Sequence, residues 1–184
     1  YWYNHAYGYG LVDATEAVNM AKSWQTVDSE IVVNMGEITV NDYIFDDRDS
    51  GVSSTIIVNQ SINIESIEVL VDVSHKFRGD LNFFLTSPSG IVSELVREHS
   101  DPGHDYDDWI FSSVVHWDEN SFGEWTLKVN DTVQGGDIGS PEFRYWNLTF
   151  YGTAGADNDE DGLPNYAESV IGTGLDNPDG NEFV

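Results

Sequence analysis

The feature that most constrains how this chain folds is an alternation of apolar and polar residues, repeated in several short runs from about residue 37 onward. In one run every second position is apolar: Ile67, Val69, Val71 and Val73. Because successive side chains of a β-strand point to opposite faces, such a run predicts a strand buried on one side. The same pattern recurs at Leu81, Phe83 and Leu85; Trp125, Leu127 and Val129; Trp146, Leu148 and Phe150. Short alternating strands separated by turn residues indicate an all-β, antiparallel β-sandwich.

The first of these strands contains a change of phase. Ile62 and Ile64 alternate with polar residues, but they are out of step with Ile67. One inserted residue moves the side chains that follow it to the other face of a sheet. We therefore predict a bulge or bend near Glu65 and Ser66.

The beginning of the chain has a helical pattern instead. Apolar residues recur at helical spacing at Leu11, Ala14, Val18 and Ala21. Asp13 and Glu16 form a capping-box pattern, which predicts a short helix. A single amphipathic helix cannot bury its own apolar face, so we expect it to pack on another part of the protein.

Composition changes again after the last strand. From Ala154 onward Gly, Asp and Asn dominate, and a short helix is predicted over residues 164–171. A stretch at 152–156 is interpreted as a connecting linker. The chain is accordingly divided into an N-terminal segment, a linker, a sandwich and an acidic segment, at residues 1–24, 25–36, 37–153 and 154–184.

The charge of the chain limits its partners. It has 33 Asp and Glu against 7 Lys and Arg, a formal net charge of -26. Such a surface repels phosphate backbones, so no nucleic-acid partner is expected. No apolar run approaches the roughly 20 residues that span a bilayer, and without cysteine there are no disulfides. The chain opens without Met or a signal peptide, and we interpret it as a piece of a longer precursor.

One acidic stretch has the spacing of a calcium loop. Its ligand positions one, three, five, seven and twelve are Asp157, Asp159, Asp161, the Leu163 carbonyl and Glu168, with Gly162 at the sharp turn. Calcium takes six to eight oxygen ligands in a flexible cage, which this spacing can supply. The stretch resembles a bacterial thrombospondin type 3 repeat, since a strand and a linker precede it where an EF-hand has a helix. The alternative is an acidic linker that binds nothing.

Other polar clusters are better explained by structure than by chemistry. The loop of residues 98–108, rich in His and Asp, could hold a transition metal, but a solvated loop is favoured. The same applies to the charged residues 46–49. Arg78-Gly79-Asp80 spells a tripeptide that integrins read, but we favour a turn at Gly79 with Asp80 bound to nearby backbone.

The chain lacks the residues of a complete active site. A serine nucleophile needs a paired histidine and an orienting acid, and no Ser lies in a glycine-rich nucleophile turn. Ser89 and Ser140 are interpreted as turn residues. No phosphate-binding loop or dinucleotide fingerprint is present. We therefore expect no catalytic residues and no organic cofactor, with Ca²⁺ as the only bound group.

Several motifs, in order, resemble a known family. Residues 4–14 with the following Ala21-Lys22-Ser23-Trp24 are similar to the end of the catalytic domain of kexin-like subtilases. The stretches His75–Leu81, Leu85–Gly90, Asp108–Phe111, His116–Asn120, Gly123–Trp125 and Trp146–Thr153 resemble the P domain, or Homo B domain, of kexin- and furin-like serine proteases.

The resemblance implies a fold and a role. It implies a jelly-roll-like sandwich that packs on its own catalytic domain and assists the folding of that domain, with residues 1–24 as the tail of the catalytic domain. The catalytic Asp, His and Ser would lie upstream of Tyr1. The acidic repeat suggests a bacterial, secreted, extracellular serine endopeptidase. The alternative is a substrate-binding module for collagen-like protein or polysaccharide, which would make a protein substrate a second partner.

Overall fold

The computed structural model describes residues 4, 6–26, 28–46, 50–135 and 140–155. These residues form one α-helix, α1 (Ala14–Ala21), a 3-10 turn at Arg78–Asp80 and nine strands. The strands are β1 (Ile31–Asn34), β2 (Ile38–Tyr43), β3 (Val52–Val58), β4 (Ile62–Ser74), β5 (Leu81–Thr86), β6 (Val92–Val96), β7 (Tyr106–Ser113), β8 (Gly123–Asp131) and β9 (Glu142–Ala154).

The strands make two antiparallel sheets. In the five-stranded sheet β9 lies between β4 on one side and β1 and β2 on the other, and β4 also pairs with β7. The four-stranded sheet has the order β3-β8-β5-β6. Across the two sheets β2 lies next to β3 on one side, and β6 lies next to β7 on the other. The predicted all-β antiparallel sandwich is confirmed. The predicted C-terminal loop and helix lie outside the described residues.

The inward positions of the alternating strands form a single core. Its largest fully buried side chains are aromatic: Trp125, Trp146, Phe83, Phe143 and Phe150. A buried indole needs a hydrogen-bond acceptor, and both tryptophans have one. Trp125 Nε1 donates to Ser121 O at 2.8 Å, and Trp146 Nε1 donates to Ser54 Oγ at 2.9 Å.

The predicted change of phase is confirmed in β4. The pairing register between β4 and β9 shifts between Ile64 and Ser66. Because of this bulge, Ile62, Ile64 and Ile67 are all buried in spite of their uneven spacing.

Two strands extend beyond the predicted sandwich boundaries. β1 lies inside the segment 25–36 that we interpreted as a linker, where Val33 is its one buried residue. β9 continues to Ala154, through part of the segment 152–156. Glycine suits this end of the strand because a Cβ on Gly152 would collide with the Asn63 carbonyl oxygen of β4.

The predicted N-terminal helix forms with its predicted cap. Asp13 Oδ1 accepts from the backbone N–H of Thr15 at 2.9 Å and of Glu16 at 3.1 Å. None of the helical residues is buried, however. The apolar side chains that were predicted to pack therefore face solvent in the described structure.

Candidate functional site

One surface links the N-terminal segment to the sandwich. The Tyr9 hydroxyl donates to the Val114 carbonyl at 2.6 Å, with the Val115 carbonyl at 3.1 Å. The same hydroxyl accepts from the Trp117 backbone N–H at 3.2 Å. A turn of four residues that follows β7 therefore surrounds a single phenol oxygen, which attaches the segment to the sandwich.

The surroundings of this contact are apolar and exposed. Val114 and Trp117 are 49% and 51% exposed, and Tyr9 is 46% exposed. Between Tyr9, Ile91 and Trp117 lies an open pocket of about 170 Å³. Pockets for drug-sized ligands are about 300–1,000 Å³, so this one suits a side chain of a protein partner. We call the residues Tyr9, Ile91, Val114 and Trp117 the Tyr9 surface.

A buried polar network lies beneath the Tyr9 surface. His116 Nδ1 and Glu119 Oε2 are 2.7 Å apart, and the His116 side chain is fully buried, edge-on to the Trp125 ring. Ser89 Oγ donates to the other carboxylate oxygen of Glu119, and Ser87 Oγ lies 3.4 Å from it. This network fixes the loop that carries Trp117 to the end of the sandwich.

The same network sets the charge of Glu119. Burial raises the pKa of its carboxyl group, but the hydrogen bonds from His116, Ser89 and Ser87 and the attraction of His116 together outweigh burial. The pKa of Glu119 therefore lies below its usual range, and the carboxylate is charged near neutral pH.

Although this cluster contains Ser, His and an acid, it is not arranged for catalysis. In a serine hydrolase the imidazole lies between the hydroxyl and the acid, so that it can take the hydroxyl proton. Here the Glu119 carboxylate lies between the serine hydroxyls and His116, which is sealed from solvent. The interpretation of Ser89 as a turn residue agrees with the bond from Gly90 N–H to Ser87 O at 2.9 Å.

The Arg78-Gly79-Asp80 tripeptide forms a structural turn. Gly79 is buried, its carbonyl accepts from His99 N–H at 2.8 Å, and a Cβ there would collide with the His99 carbonyl oxygen. Arg78 Nε donates to Asp101 Oδ2 at 2.7 Å. The tripeptide therefore holds the loop of residues 98–108 against the sandwich, which agrees with the turn predicted at Gly79.

The Asp101 carboxylate in that loop already has hydrogen-bond donors. The hydrogen bonds from Arg78 and from the Gly103 backbone hold the pKa of Asp101 below its usual range. His99 Nε2 lies 3.9 Å from the same carboxylate. In the described ranges no three His, Asp or Glu side chains come together as a possible metal site.

The predicted calcium ligands lie outside the described residues. They are Asp157, Asp159, Asp161, Leu163 and Glu168. The structure therefore does not test this site. Sequence reasoning in turn missed the Tyr9 contact, for which the only local signal is the pair of tyrosines alternating with glycine at residues 7–10.

An antiparallel β-sandwich domain with an N-terminal attachment point is the class of protein that these features define. Residues 64–150 match the family model described as Proprotein convertase P-domain. Kexin of Saccharomyces cerevisiae is 32% identical over 158 residues, which are 82% of this chain and 19% of the relative. Human furin is 31% identical over 177 residues, which are 90% of this chain and 21% of the relative. Residues 64–150 of the chain thus belong to the P-domain family of proprotein convertases.

Solved structures agree on the fold. The serine protease of Aeromonas sobria, in its complex with the chaperone ORF2, superposes with a TM-score of 0.73 at 22% identity. The match covers 83% of this chain and 32% of that protein. The chain spans about a fifth of the length of the curated relatives it matches. As a P domain of the subtilisin-like proteases, it is not itself an enzyme. The one described α-helix is too short to cross a membrane.

Proposed function

We propose that this P domain docks onto and stabilises a subtilisin-like serine endopeptidase domain joined to its N-terminal side. The observation that carries the proposal is α1, a correctly capped helix that buries none of its residues. Around it Leu11 is 101% exposed, and Val18 and Trp24 are each 60% exposed. An amphipathic helix gains most of its stability from packing its apolar face, so these side chains require a partner.

The Tyr9 surface supports the same proposal. Tyr9 fixes the start of the N-terminal segment next to the exposed Trp117 and Val114. Large exposed aromatic side chains with a rigid support are the usual anchors of protein interfaces. The network of Glu119 and His116 supplies that support from below. A partner that covers α1 would thus also reach the Tyr9 surface.

Two further properties belong to the proposal. We infer that the stretch at 157–168 binds Ca²⁺ through the ligands named above, because carboxylates at this spacing supply the oxygen cage that calcium requires. We also infer that the protein is extracellular, because calcium is abundant there and salt screens the net charge of -26.

The test compares variants of the parent protein produced from its gene. Trp117→Ser should lower both the yield of active protease and the temperature at which its peptidase activity is lost, since Trp117 would no longer fill the interface. The matched control is Val32→Ser, which removes an apolar side chain that is 53% exposed on the outer side of β1. Equal effects of the two variants would contradict the docking role.

The chain alone should not hydrolyse peptides. We expect no cleavage of a dibasic fluorogenic peptide by the purified chain, because the Ser, His and Glu cluster found in its described residues is arranged in the wrong order for catalysis. Cleavage that stays with the chain through repeated purification, and that inhibitors of contaminating serine proteases do not stop, would contradict this expectation. The alternative, a substrate-binding module, is tested by a pull-down with insoluble collagen or polysaccharide. Under that alternative the chain binds the insoluble material, and the Trp117→Ser variant binds it as well as wild type does.

A further inference from the structure

The strand β3 has an unusual edge. It lies at the end of the four-stranded sheet, and within the described part of the chain its backbone hydrogen-bonds to β8 alone. Its seven residues, Val52–Val58, contain no charge, proline or glycine. A row of free N–H and C=O groups on such a strand is a template for another extended chain.

The other edge strands carry the usual protection. The pairing register shifts at β2 between Thr39 and Asp42, and it shifts where β6 pairs with β5 and where β7 pairs with β4. β1 is only four residues long. β3 instead pairs with β8 at seven consecutive positions, from Val52 with Val129 to Val58 with Gly123. Bulges, charges and short length are the devices by which native edges avoid pairing, and β3 lacks all three.

We propose that the free edge of β3 binds an extended, basic polypeptide segment by strand addition, a role beyond docking to a protease domain. Backbone hydrogen bonds of the added strand would supply much of the affinity, and the exposed Ile57, at 63%, would contact an alternate side chain. β-branched neighbours such as Thr55 favour the extended conformation that the added strand must match.

Charge decides between the possible occupants. Two copies of a chain with a net charge of -26 repel one another, which disfavours edge-to-edge pairing of β3 with itself. A segment rich in Lys or Arg is attracted by the same field. The free edge of β3 lies on the side of the sandwich where β3 is next to β2. Val114 of the Tyr9 surface follows β7, which lies on the opposite side. Strand addition and docking at the Tyr9 surface can therefore occur together.

The test uses an eight-residue peptide of alternating Lys and Val, capped at both ends, titrated into the chain in 0.15 M NaCl. Two further peptides have the same side chains and charge. One carries N-methyl groups on the backbone amides of all the Lys residues, and the other carries them on the backbone amides of all the Val residues. In an added strand only alternate N–H groups face the sheet, so one of these two isomers should lose at least tenfold in affinity while the other keeps it. Equal affinities of the two isomers, whether retained or lost, would overturn the proposal.

Hydrogen exchange locates the bound peptide. The proposal requires new protection of backbone amides within Val52–Val58 and none at β6 or β7. Protection at another edge would overturn it. A dimer of the peptide-free chain in sedimentation, with the Val52–Val58 amides already protected, would also overturn it. The corresponding peptide of alternating Glu and Val is the charge control, and it should bind at least tenfold more weakly than the Lys peptide.

Discussion

At the scale of single residues, the carboxylates of Glu119 and Asp101 serve the architecture of the loops that contain them. The carboxylate of Glu119 accepts hydrogen bonds from His116 in its own loop and from Ser89 in the turn between β5 and β6. The carboxylate of Asp101 likewise accepts hydrogen bonds from Arg78 and from the Gly103 backbone. Both groups have lowered pKa values because their charged forms are hydrogen-bonded. Their effects on stability should therefore depend on pH.

Glu119 gives a testable pH dependence. Because its folded pKa is depressed, its stabilisation is fully present above the unfolded value of about 4.3 and is lost as pH falls through the folded pKa. Replacing it by Gln removes the titration but keeps the shape. In urea unfolding, wild type should exceed Glu119→Gln in free energy of unfolding at pH 6, and the gap should shrink by pH 3. A gap of constant size would show that the charge of Glu119 does not matter.

The calcium proposal also rests on single residues. Asp161→Ala removes a ligand at the centre of the predicted loop and leaves Asp157 and Asp159 repelling each other without a cation. In calorimetric titration wild type should bind Ca²⁺, and the variant should bind it at least tenfold more weakly. Bound Ca²⁺ adds roughly 2.7 kcal/mol at a hundredfold excess over Kd, here to the acidic segment rather than to the sandwich. Identical titrations of the two proteins would make the loop an acidic spacer.

At the scale of elements, the alternation of apolar and polar residues predicts a strand only where one face of that strand is buried along its length. β4, β5, β8 and β9 meet that condition, and their alternation identified them. β1 has a single buried residue, so it gives no repeating pattern. The Tyr9 contact joins residues 105 apart in sequence and depends on the path of a loop, which no local pattern encodes.

The N-terminal segment should be the least stable element. Since α1 buries nothing, residues 6–26 should exchange amide hydrogens much faster than the strands of the sandwich. Tyr9→Phe removes the shared hydroxyl, a loss of about 0.5–1.5 kcal/mol in local stability, and should speed exchange there further. Tyr7→Phe is the matched control, because Tyr7 is 68% exposed. Equal protection of this segment and the sandwich would contradict the expectation.

At the scale of the whole molecule, charge is the dominant property. Carboxylates spread over both sheets and the loops repel one another, and this repulsion favours the unfolded chain. Added salt screens it, since the Debye length falls from about 30 Å at 0.01 M to about 10 Å at 0.1 M. Net charge thus connects the stability of the fold to the medium that surrounds it.

The melting temperature should accordingly rise with ionic strength. Between 20 mM and 0.5 M NaCl, with a chelator present to exclude calcium effects, we expect an increase of roughly 2–4 °C for each kcal/mol of repulsion relieved. Choline chloride at the same ionic strength should give the same increase, because screening does not depend on the identity of the cation. A melting temperature that is flat or falls with salt would show that the carboxylates are already compensated within the fold.

The position of β9 has a consequence for synthesis. It is the last described strand in the chain, yet it lies between β4 and the pair β1 and β2, so neither of those two strands has a partner in its sheet until β9 arrives. A ribosome adds about 5–20 residues per second, so the early strands must wait for several seconds after they emerge. A nascent chain that ends before Glu142 has no β9 residue to hold β2 in place, and one that ends before Thr149 has none to hold β1.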